Sequence, residues 1–254
     1  MSFSTDFQSL VKRSVHQSTE LYSDEKNKDI ANPYYIGKGN PNADILLIGK
    51  ELAIDPVKNP IAFRNESINN PNQWGKIIKG ELEVDEFDPR WPYNKDLPKS
   101  AGATWNQYQR LNNLLFEENK SESESTFFQK FFLTEINTTP SKYSPGRKNI
   151  LGELHQDRME MFRQEKFFQN FLIVIVAAGG YWHIEDIQSI FGNELVPDNQ
   201  TWHQNKFIVF THPEQKKLII SMRQLSTSVS GELMGRIVEE VEKFRLIQRE
   251  EKSF

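Results

Sequence analysis

Short, mainly apolar segments constrain the fold of this chain more than any other feature of its sequence. They cover 44–48, 127–136 and 171–178, and an apolar hairpin pattern over 206–222 turns at about 213–216. Apolar segments of this length are typical of strands that are buried on both faces of a parallel sheet. Such a sheet needs helices on both of its sides.

Amphipathic helical patterns lie between and around these runs. They cover 5–22, 104–116, 151–170, 184–191 and 232–249. Because strands that alternate with helices indicate an α/β fold, we predict a parallel four-stranded sheet flanked by helices, with a C-terminal hairpin. The 254 residues are expected to form one domain, in which residues 1–30 are an N-terminal helical extension.

The composition excludes several kinds of site. The chain has no cysteine, which excludes disulfides, thiolate nucleophiles and iron–sulfur clusters. Its five histidines never stand at the spacing of a helical zinc pair, so we expect neither a metal nor a cofactor. The net charge of −4 neither requires nor excludes nucleic acid as a partner. Because the sequence shows no apolar run of about 18 residues and no signal pattern, we expect a cytoplasmic monomer without a membrane partner.

Polar and charged residues gather where the predicted strands end. The residues that share this position are Gly49, Lys50 and Glu51 after the first strand, Glu135 and Asn137 at the second, Gly179 and Gly180 after the third, and Arg223, Gln224, Leu225 and Ser226 after the last. Open α/β sheets bind ligands beyond the carboxyl ends of their strands. We therefore predict one shared site at this edge, lined also by Phe63 from the long loop that follows the first strand.

Three of these segments have the order and spacing of known motifs. Segment 45–51 reads Ile-Leu-Leu-Ile-Gly-Lys-Glu, 132–137 reads Phe-Leu-Thr-Glu-Ile-Asn, and 221–226 ends in Leu-Ser. Over roughly 33–244 the chain thereby resembles the uracil-DNA glycosylase superfamily, whose catalytic loop, base-reading residue and DNA-intercalating loop follow strands in this order. The resemblance implies DNA, single- or double-stranded, as the partner and hydrolytic removal of a damaged or modified base without a cofactor.

The resemblance also assigns a role to individual residues. It places Glu51 at the position of the residue that activates water, and Glu135 at the base-reading position unless the register shifts to Asn137. Leu225 corresponds to the wedge that fills the space left by a flipped base. The other motif residues are expected to contact the base or the DNA: Gly49, Lys50, Gln224 and Ser226.

Cleavage of an N-glycosidic bond requires the same kinds of group, whether or not the chain belongs to this superfamily. It requires a carboxylate that orients water, an aromatic face for the base and a donor to the departing base. Glu51 and Phe63 fit the first two, and either Arg223 or His212 fits the third. An ionised Glu135 has only acceptors and would repel the O4 of uracil, so we predict that uracil is a poor substrate and that a base with an exocyclic amine is a better one.

Each of these residues could have a structural role instead of a catalytic one. Glu51 could begin a helix, Phe63 could belong to the core, and His212 could lie in a turn. Glu135 could support a neighbouring residue, with Asn137 restoring a preference for uracil. At the level of function, the alternatives are a superfamily member that binds nucleic acid without catalysis, and a hydrolase of free nucleosides or nucleotides that uses the same site.

Overall fold

The computed structural model describes residues 2–81, 88–90, 102–121, 125–141, 153–198, 207–214, 216–226 and 229–251. The strands are β1 (Lys38–Gly39), β2 (Ile45–Gly49), β3 (Phe131–Glu135), β4 (Ile173–Val176), β5 (Val196–Pro197), β6 (Phe207–Thr211) and β7 (Leu218–Met222). The α-helices are α1 (Thr5–Leu21), α2 (Pro60–Phe63), α3 (Asn70–Lys79), α4 (Gly102–Leu115), α5 (Glu153–Gln164), α6 (Lys166–Gln169), α7 (Ile184–Phe191) and α8 (Gly231–Glu251). Within these ranges, no helix is both long and apolar enough to cross a membrane.

The strands form a seven-stranded mixed sheet in the order β1-β3-β2-β4-β7-β6-β5, with helices on both sides, which confirms the predicted α/β class. The neighbouring pairs among β3, β2, β4 and β7 are parallel, whereas β1, β6 and β5 pair antiparallel with their neighbours. The sheet is therefore larger than the four strands predicted. The sequence did not show β1 and β5 because each is two residues long and carries no apolar run.

The core has two layers, one on each face of the sheet. Successive side chains of β2 alternate between them: Leu46 and Ile48 pack in one layer, Ile45 and Leu47 in the other. Helices α1, α3, α5, α6 and α7 cover the first layer, and α4 and α8 cover the second. Because Phe7 of α1 is fully buried in the first layer, this helix is part of the main core and not an appended segment.

Two predicted elements have different boundaries in the structure. The start of the apolar run 127–136 is helical, because Thr126–Gln129 forms a 3₁₀ turn in which the Phe127 and Phe128 rings stack 4.2 Å apart. Within 153–170, Glu165 adopts an extended conformation and divides the predicted helix into α5 and α6. A short apolar run does not distinguish a strand from a buried helical turn, and this ambiguity accounts for the first error.

Candidate active site

The chain reverses its direction across the sheet at the carboxyl end of β2. After β2 it continues to β3 on one side, and after β3 it returns to β4 on the other side of β2. Helix α4, in the connection that leaves β2, lies on one face, whereas α7, which follows β4, lies on the opposite face. Connections that leave neighbouring strands toward opposite faces create the switch point at which open α/β sheets bind ligands. The switch point of this chain lies between the ends of β2 and β4.

A hydrogen bond joins the segments that follow these two strands. The Tyr181 hydroxyl, beyond β4, donates to Oε2 of Glu51, beyond β2, at 2.6 Å. Both residues are buried, with 9% of Glu51 and 2% of Tyr181 exposed. A hydrogen bond to an ionised carboxylate is stronger than one between neutral groups, so Tyr181 fixes the position of the Glu51 carboxylate.

Two glycines allow the chain to turn back between β4 and Tyr181. Gly179 and Gly180 have φ angles of +47° and +82°, which residues with a side chain rarely adopt. A Cβ on Gly179 would also lie 3.2 Å from the amide nitrogen of Gln224, in the segment that follows β7. The ends of β4 and β7 are thus packed together, and the glycine pair serves a tight turn.

Lys50 also contacts Tyr181. Its Nζ lies 4.7 Å from the centroid of the Tyr181 ring, within the range of a cation–π interaction. Its Cε would lie 3.5 Å from a Cβ placed on Gly179. Lys50 therefore brings a positive charge to the switch point, beside the Glu51 carboxylate.

Glu135 reaches the same place from β3. It is the register partner of Gly49, and a Cβ on Gly49 would overlap its Oε2. The Glu135 carboxyl group therefore occupies the space that a side chain on Gly49 would fill. Its Oε2 is buried and has no hydrogen-bond partner among the residues that the structure describes. The close approach of the Glu135 carboxyl group therefore requires a glycine at position 49.

The environment of Glu135 favours its protonated form. Burial is the main cause that raises the pKa of its carboxyl group from 4.5 to about 8; the charge of Glu51 adds to the rise, and Lys38 and Arg158 oppose it. At neutral pH Glu135 is therefore mainly a neutral carboxylic acid. Two carboxyl groups in different environments lie together at the switch point, an arrangement suited to acid–base chemistry.

Arg158, on α5, holds the end of β3 beneath this pair. Its Nε donates to the Glu135 carbonyl oxygen at 2.9 Å, and its Nη groups donate to the Tyr35 carbonyl and the Thr134 hydroxyl. Burial lowers the pKa of Arg158 to about 10, while Tyr35 and Glu135 oppose this change, so the guanidinium keeps its charge at neutral pH. Arg158 anchors the backbone that carries Glu135.

A buried ion pair lies on the side of β3 that faces β1. Lys38 of β1 pairs with Glu66, and only 6% and 11% of their side chains are exposed. Glu66 lies in a single π-helical turn, Arg64–Ile68, between α2 and α3. Turns of this kind are often found at functional sites. The Lys38 charge acts on Glu135 as well, because it opposes the rise in the pKa of that carboxyl group.

The residues predicted to follow β7 fall into two groups. Arg223 is exposed and Gln224 half-buried at the carboxyl edge, where Gly179 donates a hydrogen bond to the Met222 carbonyl at 2.9 Å. Leu225 is fully buried in the second core layer, where its side chain cannot enter a DNA duplex. The expectation that Leu225 is a wedge is therefore corrected. The half-buried Ser226 donates its amide to the Gln224 carbonyl.

His212 lies away from the site. It follows β6, and because β6 is antiparallel to β7, with Thr211 opposite Leu218, it stands at the amino edge of the sheet. The five residues of β7 put about 13 Å of strand between the two edges. His212 instead accepts a hydrogen bond from the Glu214 amide, as expected of a turn residue. Of the two donors that the sequence suggested, only Arg223 therefore stands at the carboxyl edge.

Phe63 and Asn137 already have structural partners. Phe63 is buried in a small cluster with Ala31 and Ile68, which leaves little of its ring for a base. The Oδ1 atom of Asn137 accepts a hydrogen bond from the backbone N–H of Thr139 at 3.1 Å. The backbone N–H of Asn137 donates to the Lys50 carbonyl oxygen at 2.7 Å. Glu135, and not Asn137, therefore reaches over Gly49.

Sequence reasoning missed three residues of the site: Lys38, Glu66 and Arg158. Tyr181 stands at the predicted edge, directly after the two glycines that follow the third strand, but the sequence assigned it no role. The other three come from elements whose sequence patterns do not indicate contact with a strand end. In the described parts of the chain, no group of three or more acidic, histidine or cysteine side chains could hold a metal ion.

Two cavities lie away from this edge. One of about 620 Å³ borders the amino ends of β2 and β4, including Asp44 and Leu172, and one of about 720 Å³ lies between α1 and α3.

No family model matches the chain, and the search of curated proteins found no similar sequence.

Proposed function

We propose that this chain hydrolyses the N-glycosidic bond of a damaged or modified base in DNA at the switch point between β2 and β4. The observation that carries the proposal is the pairing of Glu51, which accepts a hydrogen bond from Tyr181, with Glu135, whose pKa of about 8 keeps it protonated. Hydrolysis of a glycosidic bond requires this combination of a carboxylate and an acid. The proposal agrees with the resemblance of the sequence to uracil-DNA glycosylases.

Each group has a defined part in the proposed reaction. Glu51 accepts a proton from the attacking water, whose oxygen bonds to C1′ of the sugar as the bond from C1′ to the base breaks. The Glu51 carboxylate also stabilises the positive charge that develops on the sugar. Glu135 donates its proton to the departing base, and Lys50 adds positive charge nearby. The products are the free base and an abasic sugar.

The protonation of Glu135 changes the base preference that we predicted from the sequence. A neutral carboxyl group presents one O–H donor beside one C=O acceptor, as an amide presents N–H beside C=O. It can pair with the O4 and N3–H of uracil, or with a ring nitrogen and an exocyclic amine. We therefore expect uracil and other bases with a lactam edge to be accepted below about pH 8, with activity falling as Glu135 ionises.

Base release from oligonucleotides tests the proposal. Single and double strands carrying uracil, hypoxanthine or a modified cytosine are incubated with the wild type, with Glu51→Gln and with Glu239→Gln, an exposed residue of α8. Loss of the catalytic carboxylate is expected to slow release by about a hundredfold or more, and the control should not. Equal rates for all three proteins would remove Glu51 from the mechanism. Binding without any release would favour the non-catalytic alternative.

The burial of Leu225 favours a second candidate, a hydrolase of free nucleosides or nucleotides. Such a substrate needs no wedge, because no base has to leave a duplex. The same proteins are therefore tested on free nucleosides and nucleoside monophosphates. Release from these substrates, with none from oligonucleotides, would replace DNA as the substrate and leave the roles of Glu51 and Glu135 unchanged.

A further inference from the structure

Two large apolar side chains are strongly exposed in the segment that leads from the site into the first turn of α2. Val57 is 89% exposed and Ile61 is 69% exposed, which makes them the most exposed large hydrophobic residues in the described ranges. Every residue of 57–61 is exposed, and the segment reads Val-Lys-Asn-Pro-Ile. Single exposed apolar residues are normal on a protein surface, but two within five residues suggest a contact surface. We call residues 57–61 the exposed tip.

The exposed tip is held in place by an ordered turn. Oδ1 of Asp55 accepts hydrogen bonds of 3.1 Å from the amides of Val57 and Lys58. The Asn59 amide donates to the Asp55 carbonyl at 2.8 Å, and the Phe63 amide donates to the Asn59 carbonyl at 3.0 Å. Since Phe63 is buried, the turn presents the two apolar side chains to solvent from an anchored base.

Both ends of the exposed tip are close in sequence to residues of the candidate site. It begins six residues after Glu51, and the helical segment that follows it carries Glu66, the partner of Lys38. The tip contains one charge, that of Lys58, and no acidic residue, although the whole chain has a net charge of −4. A positive charge between apolar side chains complements a phosphate backbone beside a base stack.

We propose that the exposed tip enters duplex DNA beside the flipped nucleotide, with Val57 filling the space that the base leaves, Ile61 packed next to it, and Lys58 on a phosphate. This inference rests on the proposed function and names the DNA contact of that same site. It assigns to Val57 the part that the sequence suggested for the buried Leu225. Apolar side chains that enter a base stack have this use in other DNA-binding proteins.

The test compares Val57→Ser with Val196→Ser, which alters another exposed valine, 56% exposed, on β5. Base release is measured on one oligonucleotide as a single strand and as a duplex. Val57→Ser should slow release from the duplex by about tenfold and change release from the single strand less than about twofold, because only a duplex leaves a space to fill. Equal losses on both substrates, or none, would overturn the inference.

A binding measurement separates this inference from the proposed function. The probe is a duplex with a tetrahydrofuran abasic site opposite 2-aminopurine, whose fluorescence rises when a side chain unstacks it. The wild type and Val196→Ser should raise the fluorescence, and Val57→Ser should not. If this holds while no base is released from any substrate, the tip contacts DNA and the hydrolase proposal fails. If wild type binds the duplex without a rise, or does not bind it, the inference is wrong.

The charge of Lys58 gives an independent readout. Lys58→Gln should weaken duplex binding and reduce the slope of log binding constant against log salt concentration by about one, the effect of one lost phosphate contact. The matched variant is Lys166→Gln, which alters an exposed lysine of α6. An unchanged salt slope in Lys58→Gln would exclude the phosphate contact.

Discussion

Replacing Glu135 with glutamine should remove a pH dependence of stability that the wild type shows. The folded protein holds a proton on Glu135 up to about pH 8, whereas an unfolded chain releases it near pH 4.5. The folded state therefore gains stability from this proton below pH 4.5 and loses it as the pH rises toward 8. A glutamine side chain has no such proton to lose, so the free energy of unfolding of Glu135→Gln should lack this slope.

The size of the effect follows from the difference in bound protons. One proton bound only by the folded state changes the free energy of unfolding by about 1.4 kcal/mol for each pH unit. Between about pH 5.5 and pH 7.5 the wild type should therefore lose about 3 kcal/mol relative to Glu135→Gln. A loss of this size is a large part of the roughly 5–15 kcal/mol that stabilises a typical domain.

Urea denaturation followed by tryptophan fluorescence at several pH values measures the difference. The pH range ends below 8, because burial lowers the pKa of Lys217 to about 8 and this group begins to titrate there. Burial also raises the pKa of Glu165, but that residue is unchanged in both proteins and cancels from the comparison. Glu239→Gln, the exposed control, should keep the slope of the wild type.

Parallel curves for the wild type and Glu135→Gln would refute the reasoning. They would mean that Glu135 is already ionised at the acidic end of the range in the folded protein, with water or a cation reaching the buried Oε2. The acid role of Glu135 in hydrolysis would then fail as well. Curves that converge at high pH, with the variant less stable at low pH, would instead show that the proton is held and that glutamine packs poorly.

Two further substitutions test the contacts around Glu135. Gly49→Ala places a Cβ against Oε2 and should displace the carboxyl group, at a cost of about 1–3 kcal/mol in urea denaturation and with a flatter pH slope than the wild type. An unaltered slope would show that the carboxyl group had not moved. Lys38→Met breaks the buried ion pair with Glu66 and should lower the free energy of unfolding by about 3–5 kcal/mol, most of which Lys38→Met/Glu66→Gln should restore. A double variant as unstable as the single one would assign the loss to packing.

The candidate site was only partly predictable from the sequence. Glu51 and Glu135 were identified because each stands at the end of an apolar run, and parallel strands bring their carboxyl ends to one edge. Leu225 and His212 also follow apolar runs, but one enters the core and the other ends a strand of opposite direction. Strand direction and the orientation of the side chain after a strand depend on pairing partners, which the local pattern does not contain.

The sequence by itself determined the α/β class, because buried strands and amphipathic helices have local periodicities that hydrophobic burial imposes on any fold. It also determined the absence of cysteine chemistry. Only the tertiary structure decided that Tyr181 hydrogen-bonds to Glu51, that Arg158 anchors the end of β3, and that Glu135 crosses Gly49 into a buried environment. These contacts join residues far apart in the chain, and the pKa of Glu135 depends on the burial and the charges that the contacts bring together.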